Sequence, residues 1–352
     1  MFLPPVLRPT AYACAKLYEL GVRARLWLYE IGWLKTRKLP APVISVGNLT
    51  VGGTGKTPCT AYLANLLTTE GYRVAILSRG YKRTTKGIVE VSDGDRTLCS
   101  PVESGDEPYL LAQQCQGVRV VVGSDRYAAG MWLWQRAQVD VFLLDDGFQH
   151  IRLHRDVNLA LIDARENLTQ AKLLPLGRWR EPVASLSRAD AVILTRASAE
   201  CRVGYQPALP SEARTFTAMH ELGELRRLPT NALTPLAQIK SQLVFALTAI
   251  AQPERFIADL RRNGLNVAAQ QTFADHHRYV LAEIQNVFAV AQQAGATAIL
   301  TTEKDAANLP DELWQRELPL PIYAVQLRFT VIESGALKDF VLRRIQPQPQ
   351  LS

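Results

Sequence analysis

Cysteine is scarce in this chain and shows no organisation. The 352 residues hold five, Cys14, Cys59, Cys99, Cys115 and Cys201, with no CxxC pair and no even framework. A disulfide-stapled fold is excluded, and the thiols read as ordinary ones of a reducing compartment. Histidine is as sparse, and no Cys/His cluster has metal-site spacing. Long apolar runs are missing too. The richest stretch, Ala11 to Leu34, is interrupted by Lys16, Glu19, Arg23, Arg25 and Glu30. That charge load argues against a transmembrane helix, and the clean apolar centre of a signal peptide is absent. No internal repeat is visible. Apolar content of 47% and charged content of 21% are those of a soluble globular protein. The length suggests two domains. A formal net charge of +7 suits an acidic partner: a nucleotide, an anionic lipid or a nucleic acid.

What is present centres on Val43 to Pro58, VISVGNLTVGGTGKTP. Val43 to Gly47 read as a short buried strand, and Gly55-Lys56-Thr57 opens an apolar-periodic stretch running to Gly71. Strand, glycine loop, GKT and helix make a phosphate-binding P-loop over Thr50, Val51, Gly52, Gly53, Thr54, Gly55, Lys56 and Thr57. The glycines let backbone N–H groups close around phosphate oxygens at a helix N-terminus. Lys56 can reach the terminal phosphates, and the Thr57 hydroxyl can hold Mg²⁺. Thr50 stands where the strict pattern has glycine, so a plain strand-to-helix turn is the competing explanation.

A second motif supports the first. Val139 to Asp146, VDVFLLDD, reads as a hydrophobic strand ending in carboxylates beside the P-loop strand. Asp145 or Asp146 can then meet Mg²⁺ or its water shell; a buried strand closing in an Asp-Gly turn is the alternative. Arg79 follows the strand Arg73 to Ser78, and ligands bind past strand C-termini in open α/β sheets. Arg126 follows the strand Arg119 to Gly123. Asp106 and Glu107 begin a helix-like stretch, where they can cap the helix or act as a base and a Mg²⁺-associated carboxylate. Arg180 and Glu181 lie in the loop KLLPLGRWREP, where an arginine could stabilise a transferring phosphoryl group.

Strands alternate with helices through residue 195, giving a doubly wound, mostly parallel sheet. Residues 86–99 read as a hairpin, and residues 197–240 as short strands or linker, with Pro207, Pro210, Pro229 and Pro235. A smaller α/β lobe follows. It carries Asp275-His276-His277 at a strand-to-helix junction, where histidine can assist a carboxylate base or Asp275 can merely cap the helix. The expected division is an N-terminal amphipathic helix in 1–40, a P-loop core in 41–196, a connecting segment in 197–240 and a second lobe in 241–352. In the N-terminal helix Tyr18, Val22, Leu26, Tyr29 and Trp33 share a face, with basic residues around it. That pattern fits a membrane-surface helix or one packed on the core.

Taken together, VGNLTVGGTGKTP, LSRGYKR, GDEPYLLA, VGSDRYAA, LLDDGFQH, DARE, LPLGRWREP, FADHHRY and TTEKDAANL resemble the tetraacyldisaccharide 4′-kinase family of lipid A biosynthesis. These stretches span residues 46 to 309. The resemblance implies transfer of the γ-phosphate of ATP, with Mg²⁺, to the 4′-hydroxyl of a tetraacylated glucosamine disaccharide 1-phosphate, giving the lipid A precursor lipid IVA. It implies Asp106 as catalytic base, His276 as its partner and Lys56 on the phosphates. Thr57, Asp145, Asp146 and Glu107 would form the Mg²⁺ region, and Arg126, Arg180 and Glu181 would lie near substrate or phosphate. It also implies a peripheral site on the cytoplasmic face of the bacterial inner membrane, anchored by the N-terminal helix, with no nucleic acid and no obligate protein partner. A membrane-peripheral nucleotide switch accounts for the P-loop and the basic helix, but leaves GDEP and DHH unexplained. A soluble small-molecule kinase or ATP-dependent ligase leaves the Trp- and Arg-rich N-terminus unexplained.

Overall fold

The computed structural model describes residues 8–196 and 214–346, so Cys201, Pro207 and Pro210 lie outside the described residues. Helix α1, Arg8–Glu30, comes first and touches the body lightly. Ala15 is buried, and Val22, Leu26 and Tyr29 are half-buried on the inward face. Tyr18 and Trp33, expected on that face, are exposed, as are Leu17, Leu20 and Trp27. The Tyr18 hydroxyl donates to the Arg180 carbonyl at 2.8 Å, and Arg25 donates to the Gln149 carbonyl at 2.9 Å. No helix among the described residues is long and apolar enough to cross a membrane.

The first half is built on β1 (Val43–Asn48), which is buried along its whole length. Parallel strands covered on both faces need such continuous apolar runs. Helix α2 (Lys56–Thr69) follows, then β2 (Val74–Ser78) and β3 (Val89–Asp93). The expected hairpin over 86–99 forms as a turn with a short return: the Asp93 carboxylate accepts from Asp95 N and Arg96 N, Thr97 bridges antiparallel to Ser92, and Leu98 N donates to the Val91 carbonyl at 2.8 Å. Only its first arm is a strand, β3, which also pairs antiparallel with β4. Short α3 (Pro101–Ser104) and α4 (Asp106–Gln114) precede β4 (Arg119–Val122). Then come α5 (Arg126–Trp134), β5 (Val141–Asp145), β6 (Val157–Asp163) and β7 (Ala191–Thr195). Strand β5 pairs parallel with β1, which brings the carboxylate-ended strand beside the P-loop strand.

The segment expected as short strands or linker contains one 15-residue strand, β8 (Arg214–Leu228). Its first residues pair parallel with β7, and the rest pair antiparallel with the last strand of the chain. Only part of β8 is covered, so it tolerates His220, Glu221, Glu224, Arg226 and Arg227, and the polar composition disguised it. Strand β9 (Leu233–Thr234) pairs onto it. The second half contains β10 (Leu243–Thr248), α6 (Pro253–Arg262), β11 (Asn266–Thr272), α7 (Leu281–Gln293) and β12 (Ala298–Thr302). One-turn α8 (Glu303–Ala306), β13 (Ile322–Val331) and α9 (Ser334–Ile345) complete the described chain.

One sheet runs through both halves in the order β3-β4-β2-β5-β1-β6-β7-β8-β13-β12-β10-β11. Separate apolar clusters flank its two ends. Phe245, Ile284, Val287 and Ile299 belong to the second half's core. Helix α9 returns to the first: Leu337, Phe340 and Val341 pack with Val157, Ile193 and Phe216. The two halves are thus tied by β8, β13 and α9.

Candidate active site

The phosphate loop is shaped before any ligand arrives. Asn48, at the end of β1, donates through Nδ2 to the Thr54 hydroxyl at 2.8 Å and to the Thr50 hydroxyl at 3.3 Å. Thr50 is buried and bridges antiparallel to Trp179, while Val51 N donates to the Arg178 carbonyl at 2.7 Å. The loop therefore begins as extended, paired backbone. That answers the missing glycine, because no left-handed conformation is needed at Thr50. Gly52 and Gly55 do need one, at φ 109° and 91°. A Cβ on Gly52 would strike the Arg178 guanidinium, and one on Gly55 the His220 imidazole. Gly55 caps α2, whose first residue is Lys56.

Lys56 Nζ lies 3.7 Å from Asp146, and Arg180 reaches both Asp146 oxygens at 3.0 and 3.2 Å. Burial would raise the Asp146 carboxyl, but Lys56, Arg180 and Arg126 hold it below the ordinary range. Asp145 turns the other way, under α2. It accepts from the Thr60 hydroxyl at 3.2 Å and the Ser78 hydroxyl at 3.4 Å. Burial, then repulsion from Glu107 and Asp146, pushes its pKa up to about 7. Among the described residues no three His, Cys, Asp or Glu side chains gather into a protein-only metal cage. Mg²⁺ does not require one, since it keeps waters and shares phosphate oxygens. Two adjacent acids with Thr57 on the first turn of α2 supply a hard-oxygen set of that kind, and Lys56 only partly offsets the burial and repulsion that raise the Asp145 carboxyl.

Arg126 is buried and donates to the Ser124 carbonyl at 3.0 Å. Burial and then the nearby Arg79 guanidinium lower its pKa to about 10. Lys56, Arg180 and Arg126 thus gather at Asp146, with Arg79 behind Arg126, whereas Glu181 is buried against Arg188.

The second half contributes across the cleft. Asp106, first residue of α4, makes no cap; Gly105 occupies that position. Its carboxylate lies 2.7 Å from His276 Nδ1, a partner 170 positions away. Burial would raise the Asp106 carboxyl, but His276, Lys304 and Asn308 hold it below its ordinary value. Nor does Asp275 cap α7, where Val280 stands. It pairs with Lys304 at 2.9 Å. His277 stacks on Phe273 and meets Glu283 at 2.9 Å, away from Asp106.

Sequence reasoning passed over the side chain of Lys304 and over His220. Lys304 follows the C-terminal end of β12, a position where open α/β sheets place ligand-facing groups. His220 carries no such signal, because the polar, proline-bearing composition of 197–240 fits short strands or linker equally well. A cleft of about 700 Å³ runs along α2 from Pro58 to Thr69, between the two halves, and none of residues 50–57 lines it. A smaller one, about 270 Å³, lies between α1 and the 168–183 loop and is lined by Ala15, Leu168, Leu173, Trp179 and Val183.

A P-loop at the N-terminus of α2, the acid-ended β5 beside it and a buried carboxylate–histidine pair define a P-loop phosphotransferase. The family model for tetraacyldisaccharide-1-P 4′-kinase matches residues 7–346. This chain belongs to the tetraacyldisaccharide 4′-kinase family. A tetraacyldisaccharide 4′-kinase of Geobacter metallireducens is 41% identical over 325 residues, covering 92% of this chain and 94% of its own. Its counterpart in Koribacter versatilis is 40% identical over 338 residues, 94% of this chain and 97% of its own. The crystal structure of Aquifex aeolicus LpxK, described as an "apo" form in complex with ATP, has a TM-score of 0.77 to this chain at 34% identity. It covers 97% of this chain and 98% of its own.

Proposed function

We propose that this protein transfers the γ-phosphate of ATP to the 4′-hydroxyl of a tetraacylated glucosamine disaccharide 1-phosphate, forming lipid IVA in lipid A biosynthesis. The Asp106–His276 pair carries the mechanism. A buried carboxylate kept ionised by a histidine can accept the proton of an alcohol nucleophile. Glu107, the next residue, is close enough to perturb Asp145, so the start of α4 lies near the acid end of β5.

Lys56 and the amides of residues 52–57 would hold the β- and γ-phosphates. Thr57 and Asp145 or Asp146, with Glu107 nearby, would hold Mg²⁺, which would neutralise charge on the transferring phosphoryl group. Arg180 and Arg126 would meet phosphoryl or substrate oxygens. Arg79 would join them, and Glu181 would keep the Arg180 loop in place. Asp106 would take the 4′-hydroxyl proton as the P–O bond forms. Positioning and charge stabilisation would supply most of the acceleration.

The protein would work as a peripheral enzyme on the cytoplasmic face of the inner membrane. Leu17, Leu20, Trp27 and Trp33 offer exposed apolar surface on and just after α1, and Arg23, Lys35, Arg37 and Lys38 add positive charge beside it. Apolar burial plus attraction to anionic lipid is the basis of interfacial binding. The small apolar cleft beside α1 would take part of an acyl chain.

The test is transfer of labelled γ-phosphate to a detergent-dispersed tetraacyldisaccharide 1-phosphate, with the product's phosphate position read by NMR. The proposal requires label at the 4′ oxygen and turnover dependent on the acceptor. ATP hydrolysis indifferent to the lipid would instead indicate a nucleotide switch.

A further inference from the structure

We propose that Lys304 is a positioning residue that fixes the tautomer of His276, so that the imidazole proton sits on Nδ1 and points at Asp106. This deepens the role given to Asp106 above and rests on it for its catalytic consequence, though not for the tautomer itself.

The two ring nitrogens of His276 face different partners. Nδ1 is 2.7 Å from Asp106 Oδ2, and Nε2 is 3.3 Å from Lys304 Nζ. An ammonium donates hydrogen bonds and accepts none. The Lys304 contact is therefore a hydrogen bond only if Nε2 offers its lone pair. A neutral imidazole then carries its one proton on Nδ1 and donates it to the carboxylate. The opposite tautomer would aim an N–H at the ammonium and a lone pair at Asp106, losing both hydrogen bonds. Asp275 does not compete for Nε2, because its nearer oxygen is 3.7 Å away. It holds Lys304 instead, at 2.9 Å. Lys82 donates to the Asp275 carbonyl at 3.4 Å, and the Tyr81 ring packs edge-on to the imidazole with centroids 5.8 Å apart.

Both ends of this relay hang from one anchor. His276 N donates to the Ala249 carbonyl at 3.1 Å, with φ at 65°. Ala249 N in turn donates to Asp305, the residue after Lys304, at 3.0 Å. Asp305 also accepts from the Thr248 hydroxyl at 2.8 Å and the Thr302 hydroxyl at 2.7 Å. The one-turn helix α8 thus sets Lys304 against the ring from a pinned base, and a pinned base is what keeps a positioning side chain in place. With Nδ1–H committed to Oδ2 and the Asn308 side chain also bonded to the carboxylate, Asp106 is held ionised, with lone pairs remaining for an incoming hydroxyl proton.

The experiment records imidazole ¹⁵N shifts of the full chain labelled at histidine, with His276 assigned through His276→Gln. Wild type should show Nε2 unprotonated and Nδ1 protonated. Lys304→Met should give a mixture of tautomers. It should lose about 10- to 100-fold in kcat with both KM values nearly unchanged, a fraction of the about 10²- to 10⁴-fold carried by general-base catalysis. Lys304→Arg keeps a donor and should restore most of the rate. A protonated Nε2 in wild type overturns the proposal and needs no variant to fold. An unchanged ¹⁵N pattern in Lys304→Met overturns it too. Full turnover in Asp106→Ala would remove Asp106 as base, yet leave the tautomer result standing.

Discussion

Replacing Asp145 by Asn should make the ion-free protein more stable while abolishing its activity. Asp145 is fully buried, and burial, Glu107 and Asp146 raise its pKa from 3.8 to about 7. A carboxyl raised on folding favours the protonated form, so its penalty is absent below the unfolded value, grows as pH rises and is complete above the folded one. At about 1.36 kcal/mol per pH unit, the ionised group costs roughly 4 kcal/mol at pH 8 and about 2 at pH 5. Asn keeps the shape, can still accept from Thr60 and can donate to Ser78, so about half of that cost should be recovered. At about 2–4 °C per kcal/mol for somewhat smaller domains, Tm should rise by several degrees at pH 8 and by less at pH 5. The assay is calorimetry with a chelator at both pH values, then with Mg²⁺ and ATP. In the second condition wild type should gain more than the variant if Asp145 is the acid that meets Mg²⁺. An Asn variant equal to or less stable than wild type at pH 8 under chelation would refute the claim that the ionised Asp145 carboxylate destabilises the ion-free fold.

Three further outcomes follow from the same geometry. Gly55→Ala should raise KM for ATP at least tenfold and destabilise by about 1–2 kcal/mol from its φ alone. Adding His220→Ala, which removes the clash but not the φ, should restore part of the affinity, and no restoration would refute the steric account. Glu181→Gln should cost about 2–3 kcal/mol in urea unfolding, because Arg188 keeps its charge inside the protein; a loss under about 1 kcal/mol would mean water already solvates the pair. Leu20→Ser, Trp27→Ser and Trp33→Ser together should cut binding to anionic vesicles at least tenfold, with little change in Tm because all three are exposed. Unchanged vesicle binding would remove α1 as the membrane contact.

Much of the first half was legible because its physics is local. Strands such as β1, β5 and β7 are buried on both faces and read as short, mainly apolar runs, and GKT announces the turn into α2. Strand β8 was not legible. It bridges two cores with partial cover, so its composition follows neither the apolar run nor clean alternation. The return of α9 to the first core was hidden for a related reason: its amphipathic spacing shows that it packs, not where. The identities of Asp106 and His276 stand out in sequence, but a capping role for Asp106 or for Asp275 explains the same positions. Only the tertiary arrangement brings them to 2.7 Å and leaves the capping positions to Gly105 and Val280. Lys304 lay in plain view within TTEKDAANL, and its meaning depends on the ring nitrogen it faces.

The most direct test of the central claim is single-turnover γ-phosphate transfer to the tetraacyldisaccharide 1-phosphate by wild type and Asp106→Ala, with ATP affinity measured in parallel. The proposed mechanism requires transfer by wild type and a loss of about 10²- to 10⁴-fold in the folded variant, with ATP affinity within about twofold. Transfer at the wild-type rate by Asp106→Ala would contradict it.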